Sequence, residues 1–205
     1  MKIMPIGDSI TQGGQIGSEY TYRLPLRDQL RDEGVKADYI GSRSAGQDPG
    51  FRWPVAFDSD HEGYYGQNTR DVVRQVETHL ATLPAPDIAL VHLGTNDSGW
   101  RARLDVIAPL KDLIGQLRQQ NARVVVLVAL PAKGIRAGGS VLRWQLRLMA
   151  FKASTRASPV IAVDQSAAAQ AGATFDGVHP NPDGQRRMAG NWLASMQDFL
   201  PRPRP

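Results

Sequence analysis

Short apolar runs, each a strand's length and each followed by a stretch of helical spacing, constrain this chain more than any other feature. They are Lys2 to Ile6, broken at Gly7; Val35 to Ile40; Ile88 to Leu93; Val124 to Leu130, the most apolar; and Val160 to Val163. Tyr22, Leu26 and Leu30 recur at four-residue spacing within Ser18 to Glu33, with Pro25 marking a start or kink. Val72, Val73, Val76, Leu80 and Leu83 predict a helix from Thr69, with Asn68 or Thr69 as its cap. Three further helices are expected over Leu104 to Gln120, Val141 to about Ala157 and Asp183 to Leu200.

Strands that are apolar throughout, rather than on alternate residues, belong in a parallel sheet covered on both faces. The pattern therefore predicts an α/β fold: a flavodoxin-like three-layer sandwich around a five-stranded parallel sheet of order 2-1-3-4-5. Residues 1–200 are expected to form one domain, and the Pro-Arg tail 201–205 to be disordered, since it cannot continue a helix. The aromatic-rich segment from Gly41 to about Asn68 is too long for an idle loop and is read as functional.

With 41% apolar and 21% charged residues the composition excludes fibrous and disordered classes. The formal charge of +4 is spread over scattered arginines, which argues against a nucleic-acid partner. The absence of cysteine removes disulfides, thiol nucleophiles and thiolate metal sites. No apolar stretch approaches the roughly 18 residues of a membrane span. Met1 is followed at once by the first strand, so the chain as it stands is expected to carry no leader and to be cytoplasmic, or secreted if a leader has been removed. Oligomeric state is left open.

In the predicted order the first and third strands are neighbours, and ligands bind outside their carboxyl ends. Those ends carry Ser9, in a glycine-punctuated turn, and Asn96, in Gly94-Thr-Asn-Asp97. A serine hydroxyl becomes a nucleophile only with a base, an orienting carboxylate and oxyanion donors. Of the four histidines, His92 sits in an apolar strand and reads as a core or supporting residue, and His79 lies on the polar side of a helix. His61, between carboxylates, is compatible with a structural, a substrate-touching or an exposed place. His179 has Asp176 three residues earlier, a glycine between them and Pro180 after, so Asp176 can hold one ring nitrogen while the other faces Ser9. The Ser9 N–H, the Asn96 amide and the N–H of Gly66 are the candidate oxyanion donors.

Gly7-Asp-Ser-Ile10, Gly66, Gly94-Thr-Asn-Asp97 and Asp176-Gly-Val-His179 together resemble the four blocks of the SGNH hydrolases, also called the GDSL family. The resemblance runs from Ile3 to the closing helix, with Ile10 standing where the family name has leucine. It implies Ser9 as nucleophile, Asp176 and His179 as its partners, Gly66 and Asn96 as oxyanion donors beside the Ser9 N–H, and no metal or cofactor. Lys2-Ile-Met-Pro-Ile-Gly-Asp-Ser-Ile-Thr11, Tyr39-Ile-Gly-Ser42 and Asp60-His-Glu-Gly63 are similar to carbohydrate esterases that deacetylate xylan. The resemblance thus implies a serine esterase acting on short acyl esters, on a small molecule or a polysaccharide. Phe51, Trp53, Phe57, Tyr64, Tyr65 and Trp100 then become candidates to stack on sugar rings or to pack the loop, and Asp8, Tyr64, Tyr65 and Trp100 the candidate substrate contacts.

Three other readings compete with deacetylation. A lipase, lysophospholipase or thioesterase of the same family would want an apolar lid, and none is evident. A metal-dependent phosphoesterase using Asp8, Asn96, Asp97 and His179 would want more histidines. A flavodoxin-like or receiver-like binding module shares the topology, but the receiver pattern wants a lysine after the fifth strand, and Val160-Ile-Ala-Val-Asp164 offers none.

Overall fold

The computed structural model describes residues 1–15, 17–97, 103–131, 139–170 and 172–201. Six parallel strands form its sheet: β1 (Lys2–Gly7), β2 (Asp38–Tyr39), β3 (Glu62–Gly63), β4 (Ile88–His92), β5 (Val125–Leu130) and β6 (Val160–Asp164). The main path is β2-β1-β4-β5-β6, which is the expected order with one strand inserted in the numbering. That extra strand, β3, arises inside the long aromatic loop. It pairs Glu62 and Gly63 with Ile6 and Gly7, continuing along the edge of β1 that β2 occupies at Lys2 and Ile3.

The strands are apolar throughout because each face meets helices. Met4, Ile6, Ala89, Val91, Val126, Val128 and Leu130 join the core under α3 (Thr69–Leu80), α4 (Ala108–Gln120) and α5 (Gly139–Ala153). Their alternates Ile3, Ile88, Leu90, Val125, Leu127 and Ala129 meet α2 (Arg23–Asp32) and α6 (Pro182–Met196), with Trp192 fully buried on that side. This is the two-residue alternation of a strand, with both faces buried. Among the described residues no helix is long and apolar enough to cross a membrane.

Local chemistry sets the helix starts. Asn68 accepts the Asp71 N–H at 3.0 Å and caps α3, and Asn181 caps α6 ahead of Pro182. α2 begins at Arg23, five residues later than the spacing predicts, with Pro25 inside its first turn, where no backbone donor is needed. A π-helical turn, Arg103–Ile107, replaces the expected start of α4. A one-turn helix that the spacing did not signal, α1 (Ser9–Gln12), follows β1 directly. Residues 202–205 of the tail expected to be disordered lie outside the described residues.

Gly7 is paired with His92 where β1 and β4 end. A Cβ on Gly7 would sit 2.6 Å from the His92 carbonyl oxygen and closer still to the Thr11 hydroxyl. The carbonyl is part of the ladder and cannot move aside. Gly7→Ala should therefore destabilise the fold by roughly 1–3 kcal/mol, the usual cost of overpacking. Urea unfolding measures it, and an unchanged midpoint would show that the strands can part at that position.

Candidate active site

Ser9 stands where β1 becomes α1. Asp8 caps the turn, its Oδ1 accepting the Ile10 N–H at 3.0 Å, and the Gly13 N–H closes on the Ser9 carbonyl at 2.7 Å. As the first residue of the turn, Ser9 has an N–H without an intrahelical partner. The far end of the turn is tied down by Arg23, whose Nε and Nη2 donate to the Thr11 and Gln12 carbonyls at 3.1 and 3.2 Å and whose Nη1 reaches the Ser59 carbonyl. This guanidinium is fully buried, and burial pulls its pKa down to about 10.

Ser9 Oγ lies 2.9 Å from His179 Nε2, and His179 Nδ1 lies 2.7 Å from Asp176 Oδ2. The chain between Asp176 and His179 folds tightly enough for Asp176 Oδ1 to accept the N–H groups of Val178 and His179 at 2.9 and 2.8 Å. Gly177 at φ 86° makes that turn possible. Partial burial alone would raise the Asp176 pKa, but the N–H of His179, its ring and the N–H of Val178 outweigh burial and hold it at about 2. Two other carboxylates of this half of the chain, Asp164 and Asp183, are engaged elsewhere. Asp164 binds Arg143 at 2.6 Å and Asp183 binds Arg187 at 2.6 Å.

Asn96 is held at the neighbouring strand end by a bond from its amide nitrogen to the Gln67 carbonyl at 2.9 Å, and among the described residues its second N–H has no other acceptor. Its loop is pinned by the buried Asp97, whose carboxylate takes the Thr69 hydroxyl at 2.7 Å and the Thr69 N–H at 3.1 Å. The Tyr64 N–H donates to the Gly7 carbonyl at 2.9 Å, so the chain bearing Gly66 leaves the sheet beside the Ser9 turn. Gly66 itself is exposed, at φ 73°.

The expected substrate contacts are redistributed. Asp8 is fully buried with its carboxylate on the Ile10 N–H, and Tyr64, 4% exposed, donates its hydroxyl to Glu62 at 2.6 Å, so neither faces a ligand. Trp100 lies outside the described residues. Tyr65 is at the site but lies against His179, ring centroids 5.5 Å apart and planes 17° from parallel. Phe51, Trp53 and Phe57 meet one another edge-on, with the Arg23 guanidinium 5.4 Å from the Trp53 ring centre. They pack the loop onto Arg23.

The remaining histidines have structural settings. His61 is fully buried, its Nδ1 accepting the Gly63 N–H at 2.8 Å while Nε2 lies 3.1 Å from the Ala45 carbonyl, the pattern of a neutral ring. His79 is less free than its helix face suggested, with Nδ1 3.3 Å from the Ser42 hydroxyl and 3.7 Å from Glu62. His92 is buried 4.0 Å from Asp8. Among the described residues no cluster of three or more histidine and carboxylate side chains is arranged to hold a metal. Arg23 and Gln12 were not singled out from the sequence, because nothing in an amphipathic spacing separates a buried polar side chain from a solvated one.

Residues 6–187 match the sequence profile of the GDSL-like lipase/acylhydrolase family. Over 97% of both chains the fold resembles a carbohydrate esterase family 3 structure from Talaromyces cellulolyticus, with a TM-score of 0.79 and 30% identity. It also resembles a serine-to-alanine variant of an acetyl esterase solved with an acetate ion, with a TM-score of 0.76 and 29% identity over 97% of each chain. A multidomain esterase of Ruminococcus flavefaciens is 28% identical over 98% of this chain, which spans 29% of that relative's length.

Burial pulls the His61 pKa well down, and burial likewise lowers that of His92. The unfolded chain then binds protons that the folded chain refuses, so stability is retained above the unfolded histidine pKa of roughly 6.5 and falls as pH drops below it. Each such group contributes up to about 1.4 kcal/mol per pH unit in that window. Urea unfolding between pH 7 and 5 should show this slope, and His61→Gln should lessen it. An equal slope in the variant would mean that the folded His61 takes up its proton normally.

Proposed function

This chain belongs to the GDSL-like lipase/acylhydrolase family and is a carboxylic ester hydrolase, and we propose that it removes short acyl groups, acetyl above all, from carbohydrate through Ser9, His179 and Asp176. The observation that carries the assignment is the continuous line from Ser9 Oγ through the His179 ring to Asp176, at 2.9 and 2.7 Å. These are the distances a base needs to take a hydroxyl proton while a third group fixes its tautomer.

In this reading Oγ attacks the ester carbonyl as its proton passes to His179 Nε2. The ring, its Nδ1–H held by Asp176, becomes cationic, and the carbonyl oxygen becomes an oxyanion. The Ser9 N–H, the Gly66 N–H and the second Asn96 amide hydrogen are the donors to it, fixed before charge develops. Collapse expels the leaving alcohol with the proton from Nε2 and leaves Ser9 acylated. Water, deprotonated by the same nitrogen, then attacks the acyl-enzyme and releases the acid.

Support for a short acyl group comes from the space beside the nucleophile. The cavity beside Ser9, walled by Ile10, Tyr22, Pro180 and Met188, is about 10 Å³, far below the roughly 300–1,000 Å³ of pockets that take larger ligands. Support for an acetylated sugar comes from the likeness to a carbohydrate esterase family 3 protein and to an acetyl esterase.

Ser9→Ala should abolish ester hydrolysis with an unaltered unfolding curve, and a fluorophosphonate should label Ser9 in the native chain only. Asn96→Ala should lower kcat by about 10²–10³ with a smaller change in KM, as for a donor that acts on the developing charge. Residual turnover in Ser9→Ala, or full kcat in Asn96→Ala, would remove the residue concerned from its role.

For acyl preference, kcat/KM for acetyl, butyryl and octanoyl nitrophenyl esters should fall in that order, each methylene costing up to about 1–3 kcal/mol, and acetylated xylan should release acetate. Preference for octanoyl with no acetate released from any acetylated sugar would point to a lipase or thioesterase instead.

A further inference from the structure

Two bonds hold the His179 ring, one to each nitrogen, and both lie along its edge. They set where the nitrogens sit, but they resist tilting of the ring only weakly, since a hydrogen bond tolerates some departure from linearity. The face is restrained by something else: the Tyr65 ring, near-parallel at 17° and 5.5 Å between centroids.

Tyr65 is itself anchored at both ends. Its N–H donates to Gln12 Oε1 at 2.8 Å, and Gln12 is a buried residue of the same one-turn helix that begins with Ser9. Its hydroxyl donates to Gln15 and lies 3.4 Å from the Glu19 carboxylate. The ring is therefore referenced to the nucleophile's own turn, and any ligand approaching that face of His179 meets Tyr65 first.

We infer that Tyr65 is a positioning residue for His179, holding the imidazole plane in line with Ser9 Oγ and giving the ring an electron-rich face while it is cationic. This rests on the reading of Ser9 and His179 as nucleophile and base. As the Oγ–carbon bond forms, the Oγ–H bond breaks and its proton goes to Nε2, so the ring carries a positive charge until the leaving alcohol takes that proton away. An aromatic face stacked on a cation stabilises it electrostatically, and here the stabilisation exists only once the proton has moved. An interaction made with the charged intermediate and not with the resting enzyme raises kcat rather than tightening substrate binding. The tilt restraint acts in the same direction, because a misaligned base loses rate at unchanged affinity.

Three variants separate this role from simple packing and from sugar stacking. Tyr65→Phe keeps the ring and loses the hydroxyl anchors; it should retain kcat on 4-nitrophenyl acetate within about three-fold. Tyr65→Leu keeps bulk and loses the aromatic face; kcat should fall on the order of ten-fold with KM changed less than two-fold. Ser9→Ala run alongside tests the underlying reading, since activity surviving there overturns the nucleophile and not Tyr65 alone. Proton NMR of the His179 ring supplies a readout independent of turnover: its signals should carry an upfield ring-current shift in the native chain and Tyr65→Phe and lose it in Tyr65→Leu. Thermal unfolding establishes that the variants are folded; should Tyr65→Leu fail to fold, Tyr65→Met takes its place. A rise in KM at constant kcat would overturn the inference in favour of a substrate platform. Unchanged kinetics in Tyr65→Leu, or a Phe variant as slow as the Leu variant, would overturn it as well.

Discussion

Parallel pairing on both edges of β1 is the constraint from which the rest follows. β4 takes one edge from Ile3 to Gly7, while β2 and β3 share the other end to end. With all strands parallel, their carboxyl ends emerge on one rim of the sheet, and the loops that follow β1, β3 and β4 deliver Ser9, Tyr65 with Gly66, and Asn96 to that rim. β6 ends there too, and the chain returns through the Asp176 turn before α6. Four loops distant in sequence thus share one small region because the sheet leaves them no other.

Bringing loops to one rim does not fix them at hydrogen-bond precision; buried polar groups do. Arg23 donates to three carbonyls, two at the end of the Ser9 turn and one ahead of β3, and so ties the Ser9 turn to the segment that leads through β3 to Gly66. Asp97 joins the Asn96 loop to the start of α3, and His61 braces the approach to β3. Buried polar atoms left unpaired are costly, so each network is stable in one arrangement and poor in others, which is the rigidity a preorganised site needs.

Legibility in the sequence divided along the same line. Periodicity reports which residues face a core, so five of the strands, their order and the helices over Thr69 and Asp183 were readable; Ser9 and Asn96 stood out as candidates where that pattern breaks at strand ends, and Asp176 with His179 by their three-residue spacing. β3 was not, because two residues of strand are fixed by pairing with Ile6 and Gly7 rather than by their own alternation. α1 is too short to show a period. The roles of Arg23, Gln12 and Tyr65 depend on what stands across from them in space. Asp8 and Tyr64 misled because a polar or aromatic residue beside a nucleophile looks the same in sequence whether it faces a ligand or the interior.

The two carboxyl groups of the site divide by environment. Asp176 is half exposed, receives two backbone N–H groups and a ring N–H, and is held at about 2, so it stays ionised on the side of His179 away from Ser9. Asp8, adjacent to Ser9 and fully buried, has its pKa raised by desolvation, with His92 only partly opposing. An ionised Asp176 attracts the cationic ring that the proposed first step creates. An ionised Asp8 would put a negative charge on the residue next to Ser9, opposing the oxyanion that the Ser9 N–H is proposed to receive. Burial disfavours negative charge in the one place and permits it in the other, and a pair of like residues pushed apart in this way is how a single fold separates an electrostatic partner from a structural cap.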